Sequence, residues 1–193
     1  RVLKGLMADC SKALKAKDWD LVVDKTSRAL RLDPQNEMAF VMRGVALGEQ
    51  GFHEQAVQDF TEAIDLAPFQ THILTNRAIS YIKLGKSAEA VLDLDRVLAR
   101  DPSDVQALGL RAEARMMENK LEDAHRDISM VMRINPNNTA VLHRRGLLSM
   151  RQGKLEEALE DFKQVTSLNN EDAEAFHNVG LVAALLGRVE EAL

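Results

Sequence analysis

The sequence predicts an all-α fold in which antiparallel helix hairpins follow one another along the chain. Several residue types recur with a 34-residue step. Each 34-residue unit also holds two stretches of helical apolar spacing around a turn residue. The composition, 46% hydrophobic but only 4% aromatic, with just four prolines, suits helices throughout.

The unit is plainest at 37–68. Its first half places Phe40, Gly44 and Leu47 at i, i+4 and i+7, and its second half carries Ala56, Phe60, Ala63 and Ile64, so each half has an apolar helical face. Gly51 separates the halves. Pro68 ends the second, because proline lacks the N–H that would continue a helix and biases Ala67 away from helical geometry.

In chain order, the unit at about 3–36 carries Leu6, Cys10 and Pro34. After 37–70, the unit at 71–104 carries Leu74, Ala78, Gly85, Ala90 and Pro102, and that at 105–138 carries Leu108, Ala112, Asn119, Ala124 and Pro136. The unit at 139–172 carries Leu142, Gly146, Gly153 and Ala158, with Asn170 where the proline is expected. A partial unit at 173–193 carries Phe176, Gly180, Gly187 and Ala192. Glycine, asparagine and proline suit turns. The small residues let two helix backbones approach, and the bulky ladder from Leu6 to Phe176 fills the space beside them.

This period, with its bulky, small, alanine, aromatic and proline positions, resembles the tetratricopeptide repeat over essentially the full chain. Ser149 and Arg115 depart from the family's large residue, seen as Leu47 and Tyr81, and Asn170 departs from its proline. The resemblance implies a right-handed superhelical solenoid, a single array over 1–193, acting as a protein-interaction scaffold. With Arg1 at the start and a polar cap lacking, the chain is expected to be a piece of a longer protein.

Several function classes find little support. The longest apolar run, 179–187, is far below the roughly 20 residues of a membrane-spanning helix. The single cysteine, Cys10, provides no disulfide framework, so an intracellular, cytoplasmic location is expected. The net charge of −5 is dispersed, and a helical-repeat RNA reader would need a basic groove. His143 and His177 hold equivalent places but lack a second close ligand, so no metal or other cofactor is expected. The acidic pairs Glu156–Glu157 and Glu190–Glu191 fall in first turns of second helices, where negative charge suits the helix dipole; no catalytic residues are assigned.

A charge ladder shares the period: Arg43, Arg77, Arg111 and Arg145 in first helices, and Asp59, Asp93, Asp127 and Asp161 in second helices. Equal numbers predict structural ion pairs within or between hairpins rather than an arginine strip for an acidic partner.

The first helices carry surplus apolar surface. Met38, Val41, Met42 and Val45 lie on a different face from Phe40, Gly44 and Leu47, whereas the second helix of that unit shows one polar face of Gln58, Asp59, Glu62 and Asp65. The resemblance implies that first helices line a concave groove, here Met7, Leu14, Met38, Val41, Met42, Val45, Asn76, Ile79, Ile82, Leu110, Met116, Met117, His143, Leu147, Met150, His177, Asn178, Leu181 and Leu185. Six of the eight methionines fall there, and flexible methionine suits varied apolar partners. The expected ligand is an apolar or amphipathic helical segment of a protein. A regulatory arm of a larger enzyme is the alternative. The family's clamp for acidic chaperone tails is matched at Asn76, but Val41, Val45, Gln106 and Leu110 stand where its other polar residues belong. The asparagine strip of some long arrays is matched only at Asn76 and Asn178, with Met42, Leu110 and Arg144 elsewhere.

Overall fold

A computed structural model describes residues 2–188, which contain eleven α-helices and no strand. They fall into two compact units, one up to Arg100 and one from Asp101. The first unit holds α1 (Val2–Lys15), α2 (Trp19–Leu32), α3 (Glu37–Glu49), α4 (His53–Leu66), α5 (Thr71–Lys83) and α6 (Ser87–Leu98). Consecutive helices pair as hairpins, and the hairpins stack through α2 on α3 and α4 on α5. The second unit holds α7 (Val105–Met117), α8 (Leu121–Ile134), α9 (Thr139–Arg151), α10 (Leu155–Leu168) and α11 (Ala173–Leu185), stacked in the same way. The fold class is an all-α helical solenoid. Ala192 and Glu190–Glu191 lie outside the described residues.

The hairpin bend requires a left-handed residue. Gly51, Gly85, Gly153 and Gly187 supply it with φ between 73° and 85°, and Asn119 supplies it at 58°. In the first hairpin the same place belongs to Lys17, with φ of 55°, where an L side chain is strained. The starts of α3, α7, α9 and α11 are capped by Asn36, Asp104, Asn138 and Asp172, whose side chains accept from the N–H three residues on at 2.9–3.1 Å. Just upstream, Asp33, Asp101, Asn135 and Asn169 each accept from the N–H two residues on, which closes the loop without tertiary help.

Within each hairpin the helices meet where the first carries its small residue. A Cβ added at Gly44 would lie 2.8 Å from a ring carbon of Phe60, and one at Gly146 would lie 2.7 Å from Phe162. The equivalent places hold Ala78 with Leu94 and Ala112 with Ile128, all essentially buried, and Cys10 with Thr26, both 0% exposed. Thus glycine is matched with phenylalanine, alanine with leucine or isoleucine, and cysteine with threonine. The volume at this position is shared between two helices rather than fixed for either. Burial also raises the pKa of the Cys10 thiol, so it remains neutral packing material.

Gly146→Ala should destabilise the chain by about 1–2 kcal/mol, because overpacking against the ring outweighs the gain in helix propensity. Adding Phe162→Leu recreates the Ala78–Leu94 pairing and should recover most of that loss. Urea melts of the two single variants and the double variant measure the coupling, and strictly additive effects would reject the shared-volume account. In the first bend, Lys17→Gly should raise stability by about 1 kcal/mol through relief of the left-handed backbone, whereas Gly85→Ala should lower it by a similar amount. Thermal melts distinguish the two signs.

Candidate functional site

One residue before each small residue of α3, α5, α7 and α9 stands an arginine, and one residue before its partner on the second helix stands an aspartate. Arg43 donates from Nε and Nη2 to Asp59, both at 2.7 Å, and Arg77 donates to Asp93 at 2.8 and 2.7 Å. Arg111 holds Asp127 at 2.9 and 2.7 Å, and Arg145 grips Asp161 with the same two nitrogens. The spacing is 16 residues each time, so every pair lies inside one hairpin. Asp59, which its spacing also places on the polar face of the second helix, is buried instead; the charge is turned inward because Arg43 meets it there. The carboxylates raise the pKa of Arg43, Arg77 and Arg145 through these hydrogen bonds, against the opposing effect of burial. Arg43 and Arg77 also donate to Ser27 and Thr61 of the preceding hairpin, at 3.3 and 3.0 Å.

Arg115 adds a second cation. It stands where the two preceding repeats carry Leu47 and Tyr81, and its Nη1 donates to Asp127 at 2.7 Å. Asp127, the most buried of the four carboxylates, therefore bridges two guanidinium groups. These donors are engaged by carboxylates of the fold, which leaves the ladder structural in character.

The expected groove residues separate into two sets. In the first unit Met7, Leu14, Val41, Met42, Val45, Asn76 and Ile79 are half-buried, and Met38 is 56% exposed. In the second, Leu110, His143, Leu147 and Met150 are half-buried, while Met117, His177, Leu181 and Leu185 are exposed. Three differ from expectation: Ile82, Met116 and Asn178 are buried, at 6–7% exposure. Ile82 and Met116 belong to a further 34-residue ladder, Leu14, Gly48, Ile82, Met116, Met150 and Ala184, in which Leu14 and Met150 are half-buried and Ala184 is exposed. Leu14 packs on the cluster of Ala13, Val22 and Ala46, and Met150 on that of Ala158, Phe162 and Val182. Asn178 is taken up internally, with its Nδ2 3.4 Å from His143 Nε2. His143 also meets Glu174 at 3.3 Å and sets its ring edge-on to Phe162. Phe176, expected to fill space beside a small residue, is 51% exposed.

The first-helix faces of the two units differ chemically. In the second unit Arg144 donates twice to Glu113, at 3.0 and 2.7 Å, joining α9 to α7 by charge, beside His143 and His177. In the first unit the corresponding strip is Met38, Val41, Met42, Val45 and Ile79, interrupted by Asn76 alone.

A cleft of about 160 Å³ opens in that strip between α3, α4 and α5. Val45, Gly48, His53, Asn76, Ile79 and Ser80 line it, with Glu49 and Lys83 among the remaining wall residues. Its origin lies in the ladder just described: Gly48 has no side chain where Leu14, Ile82, Met116 and Met150 each have a large one. At the first position of the second helix His53 stands where the other hairpins carry Trp19, Ser87, Leu121 and Leu155. Its Nδ1 is buried without a hydrogen-bond partner. Gly48 falls outside the small-residue ladder at Gly44, and its signal in the sequence is its contrast with the large residues 34 positions before and after.

The geometry has known counterparts. Models of the tetratricopeptide repeat match residues 39–70 and 75–128, and a model described as TPR repeat matches 146–187. Among solved structures, the type IV pilus biogenesis factor PilW is similar with a TM-score of 0.87 at 20% identity, covering 100% of this chain and 89% of its own. A tetratricopeptide repeat protein from Parabacteroides merdae ATCC 43184 gives 0.83 at 20% identity, covering 99% and 76%. YrrB, a TPR protein with an unusual peptide-binding site, gives 0.71 at 17%, covering 87% of each chain. At these identities the likeness shows the fold alone. No curated protein sequence matches the chain.

Removing one partner of a buried ion pair costs about 3–5 kcal/mol, because the other charge is left uncompensated. Asp127→Ala should lie above Asp161→Ala, since it takes a shared carboxylate from both Arg111 and Arg115. Asp161→Ala should cost less, because the Arg145 side chain is 38% exposed and can reach water. Chemical denaturation of both variants gives the order, and equal losses would remove the second cation from the account.

Proposed function

This chain belongs to the tetratricopeptide-repeat family, and from that premise we propose that the first-helix face of its unit up to Arg100 docks an amphipathic helical segment of another protein. The fold is that of a protein–protein interaction scaffold, in a family that is typically non-catalytic. None of the helices among the described residues is long and apolar enough to cross a membrane. The observation that carries the reading is the apolar strip of Met38, Val41, Met42, Val45 and Ile79 on α3 and α5, at least partly open to solvent. A helix laid on such a strip buries one face of its own, and adaptable methionines accommodate its shape. An acidic tail needs several fixed cations, and the strip offers Asn76 with Lys83 as the cation lining its cleft. Peptide docking, the property for which YrrB is described, is carried to this chain only as part of this proposal.

The test uses two fluorescent peptides: a neutral amphipathic helix of leucine, alanine and glutamine, and an acidic peptide ending in a free carboxylate. The amphipathic helix should bind more tightly, and high salt should change its affinity little. Met38→Ser combined with Val41→Ser should weaken it about tenfold or more, in keeping with the loss of apolar contact, and leave the melting temperature within a few degrees. Tighter binding of the acidic peptide, abolished by Asn76→Ala and by salt, would overturn the reading.

A further inference from the structure

The ladder of Leu14, Gly48, Ile82, Met116 and Met150 makes the cleft in the first unit more than an irregular gap. In the other four two-helix hairpins the equivalent place carries a side chain of leucine, isoleucine or methionine size, and at Ala184 of α11 it carries a methyl group. At Gly48 the backbone provides none, and a Cβ built there would make ordinary van der Waals contact with Ala56 Cβ and Ser80 Oγ at 3.9 Å, with no clash. The remaining cleft, about 160 Å³, is of the order of an engineered apolar cavity of about 150 Å³ that admits benzene. Its apolar wall is supplied by Val45, Phe60 and Ile79.

We propose that the cleft beside Gly48 is an anchor pocket for one aliphatic side chain of leucine, isoleucine or methionine size. The side chain comes from the segment docked on this face, so the assignment rests on the docking reading and adds its specificity-determining contact. The guest completes the packing that Ile82 and Met116 complete from within. A glycine or alanine at the anchor position would leave the cleft partly empty, and an acidic residue would lose its hydration against Val45 and Ile79 without gaining a buried cation.

The probe is N-acetyl-leucine amide, titrated into the isotope-labelled chain and followed by amide chemical shifts, with N-acetyl-glycine amide as control. Leucine amide should produce saturable shifts centred on Gly48, Glu49, His53 and Ser80, and glycine amide should not. Gly48→Leu fills the cleft from within and should weaken leucine amide about tenfold or more, with an unchanged or higher melting temperature. Gly48→Ala, which has room at its Cβ, should weaken it about threefold and serves if the larger variant fails to fold. Equal shifts with glycine amide, or undiminished leucine amide binding in folded Gly48→Leu or Gly48→Ala, would overturn the pocket. The Met38→Ser and Val41→Ser variant separates the two readings, because it should weaken helix docking about tenfold or more yet leave leucine amide binding intact. Loss of helix docking in that variant with none in Gly48→Leu would leave the docking face standing and remove the anchor.

Discussion

The contact on which the structure depends is the crossing of two helices within one hairpin, fixed by two neighbouring residue pairs with the same offset. At Gly44 and Phe60 the backbone of one helix accepts the ring of the other at van der Waals limits. At Arg43 and Asp59, one step earlier on both helices, a bidentate ion pair closes over the same crossing. The steric contact sets how closely the helices approach, and the charge pair adds a directional constraint that apolar packing lacks. Neither suffices alone: a buried carboxylate without its arginine is costly, and a ring on a glycine can slide. Both constraints recur with the 34-residue step in the four hairpins from α3 to α10, while the first hairpin reverses the charges as Asp9 and Lys25.

Much of this geometry is legible in the sequence because period converts weak local signals into strong ones. A single Ala56 says little, but Ala56, Ala90, Ala124 and Ala158 at equal spacing require close helix contact, and all four are fully buried. The features that escape a periodic reading are those that break the period. Lys17 hides its left-handed backbone because lysine is no turn residue, and only its place 34 residues before Gly51 betrays it. Arg115 looks like a defect in an apolar ladder, yet it adds a second guanidinium to Asp127. Apolar residues were harder to divide between core and surface. Met116 and Met117 are adjacent on one helix and chemically identical, but one is 6% and the other 44% exposed, and only the position of the neighbouring helix decides between them. The loop caps at Asn36, Asp104, Asn138 and Asp172 form a ladder that the spacing of polar residues could have revealed.

The candidate site owes its character to the same kind of irregularity. Where Gly48 leaves a gap in the internal ladder a cleft opens, and His53 beside it holds a buried ring nitrogen without a partner. The second unit uses the corresponding face differently, with Arg144 and Glu113 joining first helices by charge and His143 tied to Asn178. Two units of one fold thus present different chemistry, which folding alone does not require.

The closed loops at Asp33, Asp101, Asn135 and Asn169 have a bearing on heredity. Each is satisfied by hydrogen bonds within a few residues, and each bidentate ion pair lies inside its own hairpin. A gene could therefore gain or lose one 34-residue cassette without cutting a rung of the arginine–aspartate ladder or orphaning a loop. What such an event would disturb is the seam between neighbours, with its hydroxyl contacts, apolar knobs and pairs such as Arg144 with Glu113. Array length in this architecture is open to change by duplication in whole steps, while the interior of each step is protected.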